Sequence, residues 1–443
     1  VSGTTTKSNA PTSLASAGGG KGAAPNPRTL VHETWGDHAA LLARTTSGPE
    51  GSVGRVEPRV IDVATPANPL RLQRGGVLER VAVAYETYGE LNAKGDNAIL
   101  IAHALTGSGH AAGFTEREEV PGWWDPLIGP GKAIDTRRFF VVSSNVLGGC
   151  YGTTGPTSLD PATGRPYGAR FPRYTIRDMV EVQRRLIDAL GVRSLRAVIG
   201  GSMGGMQVLE WAATHPERVR AIAPIAIGAS HSAWAIGLNE VARRAIMADP
   251  AWQGGNYPID RQPDTGLGLA RAIAMLSYRS FASLEQKFGR GRVPNGAGNG
   301  RSGATQDLLG SGPDGEAAST GVAQDLEALD ASFEIASYLA YQGVKLVKRF
   351  DANTYLHLTW AMDDYDVAED RGRVQDVLRR MAMPALVLGI DSDVLYPETE
   401  ARALTEYLPN ARYARISSPH GHDAFLIEFP QVAAQLRRFL ADD

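Results

Sequence analysis

The segment Leu195–Gly205, LRAVIGGSMGG, constrains the fold of this chain more than any other. Leu195–Gly200 is short, apolar and rich in Val, Ile and Ala, which reads as a β-strand. It runs without a linker into Gly201-Ser202-Met203-Gly204-Gly205. Met206–Thr214 then places Met206, Leu209, Glu210 and Ala213 at helical spacing. A Gly-x-Ser-x-Gly string between strand and helix is a sharp turn that holds the serine in strained backbone geometry. Flanking glycines keep Cβ atoms out of a crowded approach. The hydroxyl then stands at a helix N-terminus, where free N–H groups and the helix dipole favour negative charge. A phosphate-binding loop would need Gly-Lys-Ser/Thr to follow, and it does not. Ser202 is therefore a candidate nucleophile.

The chain around this turn repeats strand and helix. Val81–Tyr88, Ala98–His103, Phe139–Ser144 and Ala221–Ile227 are further short apolar runs bounded by turn residues. Their apolarity is continuous rather than alternating, which predicts strands buried on both faces. Ile176–Leu190 reads as an amphipathic helix, with Thr175 and Asp178 as a cap and Gly191 as a stop. From about residue 228 to 374 the rhythm changes to helices: Ala233–Met247, Gly266–Tyr278, Phe333–Phe350 and Asn353–Met362. Within that block, 289–323 is Gly/Ser/Asn-rich and too polar to pack, so we expect a mobile insertion. Alternation returns with Ala385–Ile390 and Arg412–Ile416 as strands, and Pro397–Tyr407 and Pro430–Phe439 as helices. The expected fold class is α/β: a mostly parallel sheet at 56–227 and 375–443, with helices on both faces and an inserted helical cap at 228–374. Residues 1–55 are Ser/Thr/Gly/Ala-rich and read as a disordered tail without the apolar core of a secretory signal.

A serine nucleophile needs a base, and the base needs an acid to fix its tautomer. With a strand–turn–helix serine the chain order is Ser, then Asp or Glu, then His. His215 closes the elbow helix, and His231 and His357 lie in the helical block, where a structural role is expected. His420-Gly421-His422 follows the last strand, at the sheet edge where ligands bind. Gly421 lets the backbone turn so that His422 projects inward. For the acid, Asp391 and Asp393 both follow the strand Ala385–Ile390 and both fit by position.

Composition removes other classes. Lys+Arg 45 against Asp+Glu 48 leaves no basic excess for phosphate neutralisation, so nucleic acid is not an expected partner. One cysteine, Cys150, excludes an intramolecular disulfide framework and a multi-cysteine zinc site. No run of about 18 apolar residues predicts a membrane span. No metal and no bound cofactor are expected.

Longer strings carry a resemblance. They are Ala102–Gly107, Gly122–Asp125, Asn145–Pro156, Phe171–Val180, Gly200–Met206, Lys348–Asn353 and Gly421–Leu426. Together they resemble the homoserine O-acetyltransferase family of the α/β-hydrolase fold, from about Val56 to the end of the chain. The family's Ser-Asp pair falls on Ser392-Asp393, which selects Asp393 as the acid. The resemblance also implies two substrate contacts. Arg271, in Gly266-Leu267-Gly268-Leu269-Ala270-Arg271, would hold the carboxylate of an amino-acid substrate, and Asp423 its ammonium. It implies acetyl transfer from acetyl-CoA to L-homoserine through an acetyl-Ser202, toward methionine, in a cytoplasmic homodimer. Backbone N–H groups of Met203 and Leu105 would form the oxyanion hole. Succinyl-using members carry an arginine two places after the catalytic aspartate. Leu395 stands there in this chain, so acetyl is expected over succinyl. A serine acyltransferase and a simple serine esterase are the alternatives.

Overall fold

The computed structural model describes residues 51–115, 121–293 and 333–441. The expected tail therefore lies outside the described residues up to residue 50, and the expected insertion lies outside them from residue 294. Gly54 is already tied to the body of the protein, its carbonyl accepting from the Phe114 N–H at 3.0 Å.

Eight strands form one sheet in the order β1-β4-β6-β5-β7-β8-β9-β10. They are β1 Arg59–Ala64, β4 Val81–Tyr88, β5 Ala98–Ala102, β6 Phe140–Ser144, β7 Leu195–Gly201, β8 Ile222–Ile225, β9 Ala385–Ile390 and β10 Ala411–Ile416. The short pair β2 Leu70–Arg71 and β3 Val77–Leu78 lies apart. From β6 to β10 every neighbouring pair is parallel. At the other edge, β4 runs antiparallel to β6 and β1 antiparallel to β4.

The continuous apolar runs are strands buried on both faces. In β5, Leu100 belongs to one hydrophobic core, while Ile99 and Ile101 belong to the other. The period-two alternation of a strand makes this split unavoidable once helices cover both sides. The first core holds α1 Ile176–Ala189 and α2 Met203–Thr214 against the sheet, and the second holds α10 Phe429–Ala441. The predicted cap on α1 is present in full: Thr175 Oγ1 accepts from the Asp178 N–H, and Asp178 Oδ2 accepts from the Thr175 N–H.

Between β8 and β9 the described elements are α3 Ala233–Ala248, α4 Asp264–Tyr278, α5 Phe281–Lys287, α6 Glu334–Val347, α7 Ala352–Asp363 and α8 Val374–Arg380. Helix α9, Glu398–Tyr407, connects β9 to β10. No helix among the described residues is long and apolar enough to cross a membrane.

The expected helix at Met206–Thr214 begins earlier, at Met203, directly after the serine. Sequence periodicity hides its first turn because Gly204 and Gly205 carry no side chain to show it. Gly204 is required by proximity: a Cβ there would lie 2.1 Å from the Ala102 carbonyl oxygen of β5. Gly237, in the interior of α3, has nothing within 4 Å of its would-be Cβ. Gly204→Ala should therefore destabilise the protein by about 3 kcal/mol. Gly237→Ala should stabilise it by about 0.5–1 kcal/mol. Denaturation midpoints of the two variants check this, and equal effects would contradict the steric account.

Candidate active site

All the candidate side chains of the triad leave the carboxyl edge of the parallel strands. Ser202 follows β7, Asp393 follows β9 and His422 follows β10, while Leu105 follows β5 next to β7. Ligands bind at this edge of an open parallel sheet because the loops diverge there and helix N-termini face it.

Ser202 has φ 56° and ψ −127°, a conformation that costs a non-glycine residue about 1–3 kcal/mol. The turn is held by the Ser202 N–H donating to Ile225 O at 3.0 Å and the Met206 N–H donating to Ser202 O at 3.1 Å. The N–H groups of Met203, Gly204 and Gly205 open helix α2 and so have no intrahelical acceptor.

Leu105 is presented by a second device. The Val146 N–H donates to His103 Nε2 at 3.2 Å, so the His103 hydrogen sits on Nδ1 and donates to Ala104 O at 2.8 Å. The Gly107 N–H donates to the same carbonyl at 2.9 Å. Across a trans peptide the N–H points opposite to the C=O, so fixing Ala104 O fixes the direction of the Leu105 N–H. Burial pushes the His103 pKa down to about 4, so the neutral tautomer persists. Arg349 ties down the next residue, donating to Thr106 O at 2.8 Å and Tyr151 Oη at 2.6 Å.

The structure separates the two candidate acids. Asp393 Oδ2 lies 2.7 Å from His422 Nδ1, while its Oδ1 accepts from the N–H groups of Leu395 at 2.8 Å and Tyr396 at 2.9 Å. Asp391 instead accepts from Ser417 Oγ and the Ser418 N–H, bracing the loop that carries the histidine. His422 is 3 % exposed, and its Nε2 has no hydrogen-bond partner among the described residues. Burial alone would lower its pKa. The charge of Asp393, its hydrogen bond and the charge of Asp423 outweigh burial and hold the pKa above the ordinary value. The imidazole packs among Tyr278, Tyr396 and Phe425, with ring centroids 5.9, 5.3 and 5.9 Å away. The Gly421 turn adopts φ 73° and presses against α4's end, where a Cβ would meet Ser280 N at 2.7 Å.

Arg271 and Asp423 are both buried. Arg271 lies over the Tyr278 ring at 5.5 Å, and burial lowers its pKa against the opposing influence of Tyr278 and Asp423. Asp423 is paired with Arg279 at 3.7 Å, a cation that sequence reasoning did not select. Leu395 is buried and lines a small cleft together with Ser202. Ser202, His231, Tyr278 and Tyr355 share that lining, so the wall opposite the sheet is made by helices α3, α4 and α7. Burial first, with Asp351, pushes the Cys150 thiol up to about 12, which fits a structural residue.

A nucleophile elbow, a buried Asp–His pair and a helical wall over a parallel sheet define an α/β-hydrolase. A family model described as alpha/beta hydrolase fold matches residues 97–429. Homoserine O-acetyltransferase from Carboxydothermus hydrogenoformans is 48% identical over 395 residues, covering 88% of this chain and 96% of that protein. Homoserine O-acetyltransferase from Moorella thermoacetica is 50% identical over 378 residues, covering 84% and 94%. The crystal structure of homoserine O-acetyltransferase from Bacillus anthracis matches with TM-score 0.74 and 26% identity, over 87% of this chain and 97% of that one. Esterase E22 matches with TM-score 0.73 and 29% identity, over 87% and 100%. The chain belongs to the homoserine O-acetyltransferase family.

A serine that depends on a neutral imidazole loses reactivity as pH falls through the imidazole pKa. Labelling of Ser202 by a fluorophosphonate should therefore be half-maximal above pH 6.5, the ordinary histidine value. Asp423→Asn removes one influence that raises the pKa and should move the half-point down. A labelling rate independent of pH between about 5 and 8 would contradict the assignment of the base.

Proposed function

We propose that this protein is a homoserine O-acetyltransferase that works through an acetyl-Ser202 intermediate. The observation that carries the chemistry is the buried Asp393–His422 pair, on the same edge of the sheet as the Ser202 turn, with the opposite imidazole nitrogen unpartnered among the described residues. Kinship of nearly 50% identity over most of the chain supports the substrates, which are small molecules with acetyl-CoA as co-substrate.

Ser202 Oγ attacks the thioester carbonyl of acetyl-CoA while His422 Nε2 takes its proton, and Asp393 keeps the other nitrogen protonated. The Met203 and Leu105 N–H groups receive the oxyanion. The C–S bond breaks, the imidazolium returns the proton to sulfur, and the thiol leaves. The homoserine hydroxyl then attacks the acetyl-serine ester. His422 takes the hydroxyl proton and returns it to Ser202 Oγ as O-acetylhomoserine departs. Arg271 receives the substrate carboxylate, since a buried guanidinium gains more from a carboxylate than from leaving it in water. Asp423 receives the ammonium and exchanges Arg279 for it. Leu395 lines the acyl side of the cleft and offers nothing to a succinyl carboxylate. The soluble homodimer and cytoplasmic location belong to the same reading by kinship.

The likeness to esterase E22 favours one second reading, hydrolysis of an acetyl ester on the same scaffold. Initial rates separate the two. Varying both substrates should give parallel double-reciprocal lines, with transfer to homoserine exceeding release of acetate. Ser202→Ala should lower transfer by about 10⁴-fold or more. Acetate as the main product at saturating homoserine would favour the esterase. In a donor panel acetyl-CoA should exceed succinyl-CoA by about tenfold or more, and a succinyl preference would overturn the role given to Leu395.

A further inference from the structure

A chain of polar groups runs from the helical block to the base, and its hydrogen count leaves one donor over. Arg243 lies 2.6 Å from Asp363 Oδ2, which keeps Asp363 an acceptor. Asn239 Nδ2 donates one hydrogen to Asp363 Oδ1 at 2.8 Å, which fixes the orientation of its amide. Its second hydrogen meets His231 Nε2 at 3.2 Å. An amide nitrogen can only donate, so His231 Nε2 is an acceptor. Burial pushes the His231 pKa down to about 4, so the ring carries one hydrogen, and that hydrogen is on Nδ1. Nδ1 lies 2.8 Å from Tyr396 Oη, which therefore accepts. The Tyr396 hydrogen then has no acceptor recorded among the described residues, although the side chain is only 1 % exposed. Burial and the nearby Asp393 charge raise the phenol's pKa, so it keeps this hydrogen.

The location of the donor matters. His231 lines the cleft with Ser202, and the Tyr396 ring lies against the His422 ring. A buried donor without an acceptor is costly, and the cost is relieved when a ligand supplies an oxygen. We propose that Tyr396 is a substrate-binding residue that donates its phenolic hydrogen to an oxygen of the amino-acid acceptor in the second half-reaction. The inference rests on the transferase reading. The relay through His231 sets its direction, because a histidine of the other tautomer would consume the hydrogen itself.

Two variants test it. Tyr396→Phe keeps the ring and removes the hydrogen. Asn239→Leu keeps the phenol but frees the histidine. With the amide gone, His231 Nε2 faces Asp363 Oδ1 at 3.7 Å and takes the hydrogen, so Nδ1 becomes the acceptor for Tyr396. Both variants should raise the KM for homoserine by about tenfold. Both should also raise the ratio of hydrolysis to transfer, and leave single-turnover thiol release from acetyl-CoA within about twofold of wild type. An unchanged homoserine KM and unchanged partition ratio in either variant would overturn the proposal. So would a parallel loss of the first half-reaction, which marks a merely structural role. A wild-type enzyme that transfers nothing to homoserine would instead remove the transferase reading beneath it.

Discussion

The structure depends on how closely β5, β7 and α2 approach one another at Gly204. There the helix backbone lies against the Ala102 carbonyl, at a distance no side chain would permit. That contact brings the loop after β5 alongside the first turn of α2. Leu105 lies in that loop, and Ser202 immediately precedes that turn. The strained φ of Ser202 is a consequence, since a strand that turns into a helix within one residue leaves it no relaxed option. Two buried cores on either side of the sheet supply the stability that the strain draws on.

Electrostatics then divides the site into fixed and open positions. Asp393 spends one oxygen on two backbone N–H groups and the other on His422, so it holds the imidazole in one tautomer. His103 and His231 are both neutral for the same reason, burial, and each directs a neighbouring group through its own tautomer. Among the described residues, what stays open is His422 Nε2, the N-terminal turn of α2, and the space beside Leu395. A transferase must admit an alcohol while disfavouring water, and a wall of helices over a small cleft suits that demand.

Much of this was legible in the sequence where a local pattern has one physical cause. The central strands stood out because burial on both faces removes polar residues from them. The edge strand β1, RVIDVA, did not, because its outer face is exposed and its apolar pattern is broken. Ser202 and His422 are singled out as candidates by turn chemistry and chain order. Asp391 and Asp393 could not be separated that way, since both follow the same strand; only the resemblance, and then the hydrogen bond to His422, distinguishes them. His231, Tyr396 and Arg279 carry no local signal at all. The His231–Tyr396 contact joins residues 165 positions apart, and no periodicity reports such a meeting.

The proposed mechanism requires an acyl group that rests on Ser202 and leaves to an alcohol. Mass spectrometry of the intact protein and of its Ser202 peptide, after rapid quenching with acetyl-CoA alone, tests this most directly. One acetyl group should appear on Ser202 with release of one thiol. Adding homoserine should clear it with formation of an equal amount of O-acetylhomoserine. Product formation without any acetylated Ser202, requiring both substrates to be present together, would contradict the account.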